Sequence, residues 1–313
     1  MAELKQIIEV MNKKPYLLNM GAGSLARIFK TTRNIIYDAK DIIRNNSKKE
    51  VKKGIKILIF DIETSPLLSY VFQKQVWKAR ISNDKIISDW LVLCWAAKWL
   101  GSAEVLSDKL DPDEILGEDD SRIVSSLWEL FNEADVIVAH NAKGFDIPNM
   151  NSKFIIQGLN PPTPYSIVDT LDVARKRFGF THNNLDYLCR VFGFPAKLPT
   201  DFSLWRGCML GNQESIDKMQ EYNINDVAIL EEVYLKLRPW MNNHPNMSVY
   251  SEEATIECCN CGSKNVTKLP DQFYFSAVGK YEIYRCECGA ISRGRVNLLS
   301  KEKSKSLITR IPK

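Results

Sequence analysis

Ile55-Lys56-Ile57-Leu58-Ile59-Phe60-Asp61-Ile62-Glu63-Thr64 is the stretch from which the fold is read. Its apolar run follows the polar, Gly-terminated linker Asn45–Gly54 and predicts a buried strand. Residues two apart on a strand share a face, so Asp61 and Glu63 point one way while Ile62 packs the other way. Two carboxylates at the end of a buried strand are costly to hold unless a cation lies between them.

Downstream, the pattern alternates between strand and helix. Ile86–Leu100 is a long apolar stretch containing Trp90, Trp95 and Trp99, and Glu104–Ser107 is a shorter strand candidate. Asp120–Glu133 predicts an amphipathic helix with Ile123, Leu127, Leu130 and Phe131 on one face. Asp135–Ala139 predicts a second buried strand that opens into His140-Asn141-Ala142-Lys143-Gly144-Phe145-Asp146. A helix over Ile147–Gly158, a strand over Ser166–Thr170 and a helix through Arg177 follow. A long helix over Ser215–Leu237 ends before Pro239 and carries Tyr222 and Asp226 four apart, on one face. This alternation predicts an α/β domain.

The chain has 313 residues, 45% hydrophobic and 26% charged, which is ordinary globular composition and excludes a largely disordered chain. Its apolar runs stop well short of the ~20 residues that span a bilayer, and Met1-Ala-Glu-Leu-Lys5 does not open a secretion signal. A cytoplasmic protein with no membrane association is expected. The net charge of +4 conceals a partition. Residues 1–54 carry 12 basic and 5 acidic side chains, residues 258–313 carry 11 and 4, and the centre is acidic. Basic ends suit a polyanion, and an acidic centre suits cations.

In residues 1–50, Leu4, Ile7, Ile8 and Met11 form one helical stripe. After a break at Lys13-Lys14-Pro15, Ser24 and Thr31 or Thr32 are candidate N-caps for a short helix and a longer one. Ala26, Phe29, Ile36, Ala39 and Ile43 would face inward, as in a helix-turn-helix. The second helix would offer Arg33, Tyr37, Lys40 and Arg44 to DNA. A small helical interaction module with a solvated basic face fits the same residues.

Cys94, Cys189 and Cys208 are scattered, whereas Cys258, Cys259, Cys261, Cys286 and Cys288 cluster. Cys258-Cys-Asn-Cys261-Gly262 and Cys286-Glu-Cys288-Gly289 read as two knuckles holding one structural Zn²⁺, with Cys258 preferred over Cys259 as the ligand. Strand-like, aromatic-rich sequence between them resembles a zinc ribbon spanning 255–298, followed by a flexible basic tail over 299–313. Arg293 and Arg295, with the nearby aromatics, suit nucleic acid. A ribbon that docks replication or repair proteins fits equally.

Asp61-Ile62-Glu63, Asn141 to Phe145-Asp146, and Tyr222-x3-Asp226 together resemble the three motifs of the DEDD superfamily of 3′–5′ exonucleases, the DnaQ-like branch of the ribonuclease H fold. The third motif has the tyrosine form, since Glu221 occupies the position where the other subgroup has histidine. The resemblance covers about residues 55–240. It implies a ribonuclease H-like mixed sheet flanked by helices, over 55–245, and two Mg²⁺ or Mn²⁺ ions. By resemblance, Asp61 bridges both ions, Glu63 and Asp226 complete the nucleophile-side site, Asp146 serves the second, and Tyr222 orients the attacking water. Thr64, Asn141 and Phe145 would shape the site around nucleic acid. The implied activity is 3′–5′ exonucleolytic hydrolysis, with single-stranded DNA favoured over RNA and 5′-monophosphates released. The alternative is a nucleic-acid-binding regulator or accessory protein that uses the nuclease fold as a scaffold. Ser65–Lys85 departs from the family in length and reads as a substrate-gripping insertion or an extended hairpin.

Overall fold

The apolar stripe at the N-terminus is realised as helix α1 (Ala2–Lys13), followed by α2 (Ala22–Ile28). The computed structural model describes residues 2–13, 22–32, 35–36, 39–40, 54–72 and 80–311. The chain divides into two units, Met1–Gly54 and Ile55–Lys313. In the first, Ile7, Met11, Leu25, Ile36 and Ala39 form a small buried core, with Leu4, Ile8, Ala26 and Phe29 packed against it. Ser24 lies inside α2 rather than capping it. Thr32 accepts a bond from the Ile35 amide at 3.5 Å, the N-cap pattern. Lys40 is buried, which corrects its expected place on an exposed basic face. Arg33, Tyr37, Ile43 and Arg44 lie outside the described residues.

In the second unit β1 (Ile57–Thr64) is the central strand. A small ribbon, β2 (Leu68–Ser69) paired with β3 (Ile86–Ser88), forms the described part of the long segment after it. The apolar stretch expected over Ile86–Leu100 is broken between β3 and β4 (Val92–Trp99). The break is held by Asp120, which accepts from the Val92 amide at 2.9 Å and pairs with Lys153 at 2.7 Å, while Lys153 also donates to the Trp90 carbonyl at 2.8 Å.

Strands β5 (Leu106–Lys109), β6 (Val136–Ala139) and β7 (Ser166–Asp169) complete a five-stranded sheet of order β5-β4-β1-β6-β7. Neighbours β1, β4 and β5 run antiparallel, whereas β6 and β7 run parallel to β1. The parallel pairs need crossovers, which helices supply. The crossover helices are α3 (Pro112–Leu116), α4 (Ser121–Glu133) and α5 (Asp146–Ile156); after β7 come α6 (Thr170–Arg177), α7 (Leu185–Phe192), α8 (Phe202–Met209) and α9 (Gln213–Leu237).

The side-chain alternation of β1 separates two cores. Leu58, Phe60 and Ile62 pack with Ile123, Leu127, Phe131, Met150 and Phe154 of α4 and α5. Phe131 sits edge-on to Phe60 and Phe154, with centroids 4.9 Å and 5.6 Å away, so truncating it would cost about 3–5 kcal/mol. Ile57 and Ile59 join Val173 and Ala174 of α6, Leu185 and Leu188 of α7, and Val227, Leu230 and Val233 of α9. A mixed sheet with helices on both faces in this order is the ribonuclease H-like fold.

The C-terminal part is a three-stranded antiparallel sheet, β8 (Val266–Ser276), β9 (Gly279–Cys286) and β10 (Ile291–Arg293), with β9 central. The basic tail contains helix α10 (Lys301–Lys305), whose N-cap Ser300 accepts from the Lys303 amide. Among the described residues, no helix is long and apolar enough to cross a membrane.

Candidate active site

Asp61 and Glu63 lie on the face of β1 that also presents Ile57 and Ile59, the face α9 covers. The register of β1 against β4 shifts between Glu63 and Thr64, so the regular ladder ends where the acidic pair begins to face the cleft. Helix α9 is fixed to the sheet edge at several points. Lys98 of β4 pairs with Glu231, Lys109 of β5 pairs with Asp217, and Gln220 donates to Ser107 at 2.9 Å. This docking sets the rotation of α9, so its Tyr222, Asn223 and Asp226 reach the acidic strand end.

A carboxylate oxygen from each of Asp61, Glu63 and Asp226 lies within 4.8 Å of the others, close enough to hold one metal ion. Asn223 donates to Asp61 at 2.8 Å. Asp146, the first residue of α5, is buried, and neither of its oxygens finds a hydrogen-bond partner. One oxygen of Asp226 is likewise buried and unpartnered. Unpaired buried carboxylate oxygens are costly, and a hard divalent cation is the partner their chemistry suits.

The electrostatics agree. Burial, then the Asp226 charge, lifts the Asp61 carboxyl to about 7. Glu63 is pushed well up by burial, then by Asp61 and Asp226. Burial and then Asp61 do the same to Asp146. Asp61 and Glu63 keep some surface open to solvent, but protein surrounds both closely enough that desolvation dominates. Such a cluster repels itself until a cation enters.

The loop that delivers Asp146 is organised by Asp169. One of its oxygens accepts from the Asn141 amide at 3.1 Å and the other from the Lys143 amide at 3.0 Å, while the carboxylate also caps α6. Asn141 adopts a left-handed φ of 80°, and a Cβ at Gly144 would stand 2.6 Å from the Asn141 side-chain oxygen, so a larger residue there would displace the Asn141 amide. Phe145 is partly exposed beside this turn. His140 bonds Thr170 Oγ1 at 2.9 Å, and burial lowers its pKa to about 4, so it is neutral near pH 7.

Sequence reasoning missed Lys197. Its ammonium lies 2.6 Å from Asp226 and 5.0 Å from the centre of the Tyr222 ring. Burial works against its charge, but Asp226 and the Tyr222 hydroxyl hold its pKa above the ordinary value. Burial raises the Tyr222 phenol, so it stays protonated at neutral pH. Next to Tyr222 is a cleft of about 380 Å³ lined by Leu198, Thr200, Ser203, Leu204 and Lys218.

In the C-terminal sheet, sulfurs of Cys258, Cys261, Cys286 and Cys288 all lie within 4.8 Å of one another. Cys259 instead contacts Ser292 Oγ at 3.0 Å, so Cys258 is the cluster member of the adjacent pair. Each knuckle closes on a glycine of positive φ, Gly262 at 75° and Gly289 at 90°. Four thiols meeting at one point are compatible with tetrahedral Zn²⁺.

Residues 101–238 match the family model described as RNase_H superfamily. The matched segment contains Asp146, Tyr222 and Asp226 and begins after Asp61 and Glu63. No curated protein matches the chain. Among solved structures, the chain is similar to the family B DNA polymerase from the hyperthermophilic archaeon Pyrobaculum calidifontis. The TM-score is 0.44 at 17% identity, over 59% of this chain, which spans only 25% of that polymerase. The strand order and the matched segment agree on a ribonuclease H-like fold, and its acidic cluster is compatible with divalent cations.

Proposed function

We propose that the protein is a metal-dependent 3′–5′ exonuclease acting on nucleic acid, with single-stranded DNA favoured, and releasing 5′-monophosphates. The observation that carries this reading is the meeting of Asp61, Glu63 and Asp226 oxygens within 4.8 Å. Tyr222 stands one helical turn before Asp226 on α9.

Asp61 would hold both of two divalent ions. Glu63 and Asp226 would share the ion on the nucleophile side, and Asp146 the second. When bound, such ions neutralise charge on the attacking and leaving oxygens and ease deprotonation of the attacking water. The chain's own groups do the rest. Tyr222, protonated, orients the water through its hydroxyl. Burial pushes the Asp226 carboxyl up, and Lys197 beside it opposes that push and packs against the Tyr222 ring. Asn223 fixes the Asp61 carboxylate, and Asp169 holds the loop that sets Asp146 at the head of α5. Thr64, Asn141 and Phe145 border the space that the terminal nucleotide would enter. Cys258, Cys261, Cys286 and Cys288 would hold one structural Zn²⁺, so that metal binding contributes to folding of a segment with little core of its own.

The test uses oligonucleotides labelled at the 3′ or the 5′ end, incubated with Mg²⁺, Mn²⁺ or EDTA. Stepwise shortening from the 3′ end that needs the metal and disappears in Asp61→Ala is expected. Undiminished shortening by highly purified, folded Asp61→Ala protein would remove the assignment.

A further inference from the structure

The β8–β9 hairpin carries more aromatic residues than its core uses. That core consists of Cys258, Cys286 and Ala290, with Cys261, Val266 and Cys288 against them, and it ends at Val266. Beyond it no residue of β8 is buried, and in β9 only Gly279 and Cys286 are. Phe275 is 67% exposed and Tyr274 48%. Rings at such positions in a slender hairpin are poorly shielded from water, and a partner that covers them recovers that surface.

The pairing register puts these rings on two faces. Tyr274 is opposite Tyr281 and Arg293 is opposite Ile283, so the two tyrosines and Arg293 share one face. The tyrosine centroids are 6.4 Å apart, and the Arg293 guanidinium stands 4.4 Å from the Tyr281 ring and 5.6 Å from Tyr274. On the other face Lys280 sits between Phe273 and Phe275, at 3.7 Å and 5.9 Å from their rings. Among the described residues, Arg285, Arg293 and Arg295 make no ion pair, whereas Lys268 is paired with Glu282. Rings with open surface, interleaved with unpaired guanidinium groups, suit unpaired bases and the phosphates that join them.

The knuckles from which the hairpin projects are attached to the helix that carries Asp226. Asn260 donates to the Arg238 carbonyl at 2.8 Å, and Met247 donates to the Cys259 carbonyl at 2.8 Å. The knuckles are thereby pinned to the end of α9, the helix that carries Asp226, about 18 Å along its axis from that residue.

Resting on the nuclease reading, we propose that the β8–β9 hairpin is a stacking platform for single-stranded nucleic acid. It holds the part of the strand that lies beyond the end bound at the carboxylates. Tyr274 and Tyr281 take bases on one face and Phe275 on the other as the strand wraps the hairpin, and Arg293 takes both a ring face and a phosphate. An excess of 11 basic over 4 acidic residues in 258–313 favours this polyanion over a protein partner.

The experiment is fluorescence anisotropy with labelled 20-nucleotide single strands, DNA and RNA in separate arms, and a blunt duplex. It uses the zinc-loaded full chain carrying Asp61→Asn to prevent cleavage. Adding Tyr274→Ala with Phe275→Ala is expected to weaken single-strand binding about tenfold or more, with little change for duplex. Arg293→Lys is expected to lose affinity although the charge is kept. Zinc content and far-ultraviolet circular dichroism equal to those of the parent show that the ribbon is intact. Single-strand affinity unchanged within twofold in an intact ribbon overturns the proposal and leaves the hairpin to a protein partner. Equal losses for single strand and duplex also overturn it, since phosphate attraction alone would then explain binding. Hydrolysis of a short phosphodiester by the unaltered chain is measured separately, so failure of the nuclease reading is distinguishable from failure of the platform.

Discussion

Replacing Asp61 by asparagine should abolish the metal-dependent activity and yet make the divalent-free protein more stable. The Asp61 carboxyl moves from an ordinary 3.8 to about 7 in the folded chain, by burial and by the Asp226 charge. A folded-state pKa above the unfolded value means that the native state holds its proton longer. Stability is therefore lost as pH rises from about 4 towards 7, and the loss is complete above that. Three units at 1.36 kcal/mol each set a ceiling of about 4 kcal/mol. Asp61 is partly open to solvent and its titration is shared with Asp226, so roughly half, about 2 kcal/mol, is the expected gain at pH 8. For a unit of this size that is about 4–8 °C in melting temperature. Asparagine keeps an oxygen to accept the bond from Asn223.

Thermal denaturation followed by circular dichroism at pH 4.5 and pH 8 provides the assay, in buffers without added divalent ions but with zinc retained. The variant should match the parent at pH 4.5 and exceed it at pH 8. Adding Mg²⁺ should raise the parent's melting temperature and close the gap. If Asp61→Asn melts at or below the parent at pH 8, or shows the same offset at both pH values, the repulsive cluster inferred from the geometry does not exist.

Other outcomes follow from the same site. Tyr222→Phe should lower kcat about 100-fold while leaving the metal concentration for half-maximal activity unchanged, as steady-state kinetics would show. Lys197→Met removes the cation beside Asp226 and should cost about 3 kcal/mol in divalent-free protein. Mg²⁺ should narrow that difference in a melting experiment, and a gap that Mg²⁺ leaves untouched would contradict the placement of Lys197. His140→Gln should leave the pH–rate profile between pH 6 and 8 in shape, because the imidazole is already neutral there. Cys286→Ser should lower bound zinc below one per chain by elemental analysis, while Cys259→Ser should leave it at one.

Much of this architecture is local enough to read from the chain. The apolar run before Asp61, the period of Asp120–Glu133 and the four-residue spacing of Tyr222 and Asp226 each place a side chain by strand or helix geometry alone. The first and third acidic motifs meet because β1 and α9 are packed against one another in an ordinary sheet-and-helix arrangement. Lys197 escaped because it lies in the loop between α7 and α8, where no periodicity fixes a direction, and nothing nearby distinguishes it from other lysines. The bonds of Asp169 to the Asn141 and Lys143 amides depend on the adjacency of β6 and β7, which no local pattern shows. The Cys-x2-Cys-Gly spacing favours Cys258 over Cys259, and the turn brings Cys258 to the other three thiols. The burial of Lys40 was likewise illegible, since a basic residue on a helix reads as exposed until its neighbours are known.

Helix α9 carries Tyr222, Asn223 and Asp226 in its middle and meets the cysteine knuckles just beyond its end, at Arg238. It works as an axle whose phase couples the two ends. One residue inserted between Asp226 and Arg238 would turn the ribbon by about 100° relative to the carboxylates and move it by ~1.5 Å. Four inserted residues would restore nearly the original bearing at a distance ~6 Å greater. Length changes in this stretch are therefore admissible in whole turns and disruptive in fractions of one, a constraint that no single side chain of the site reveals.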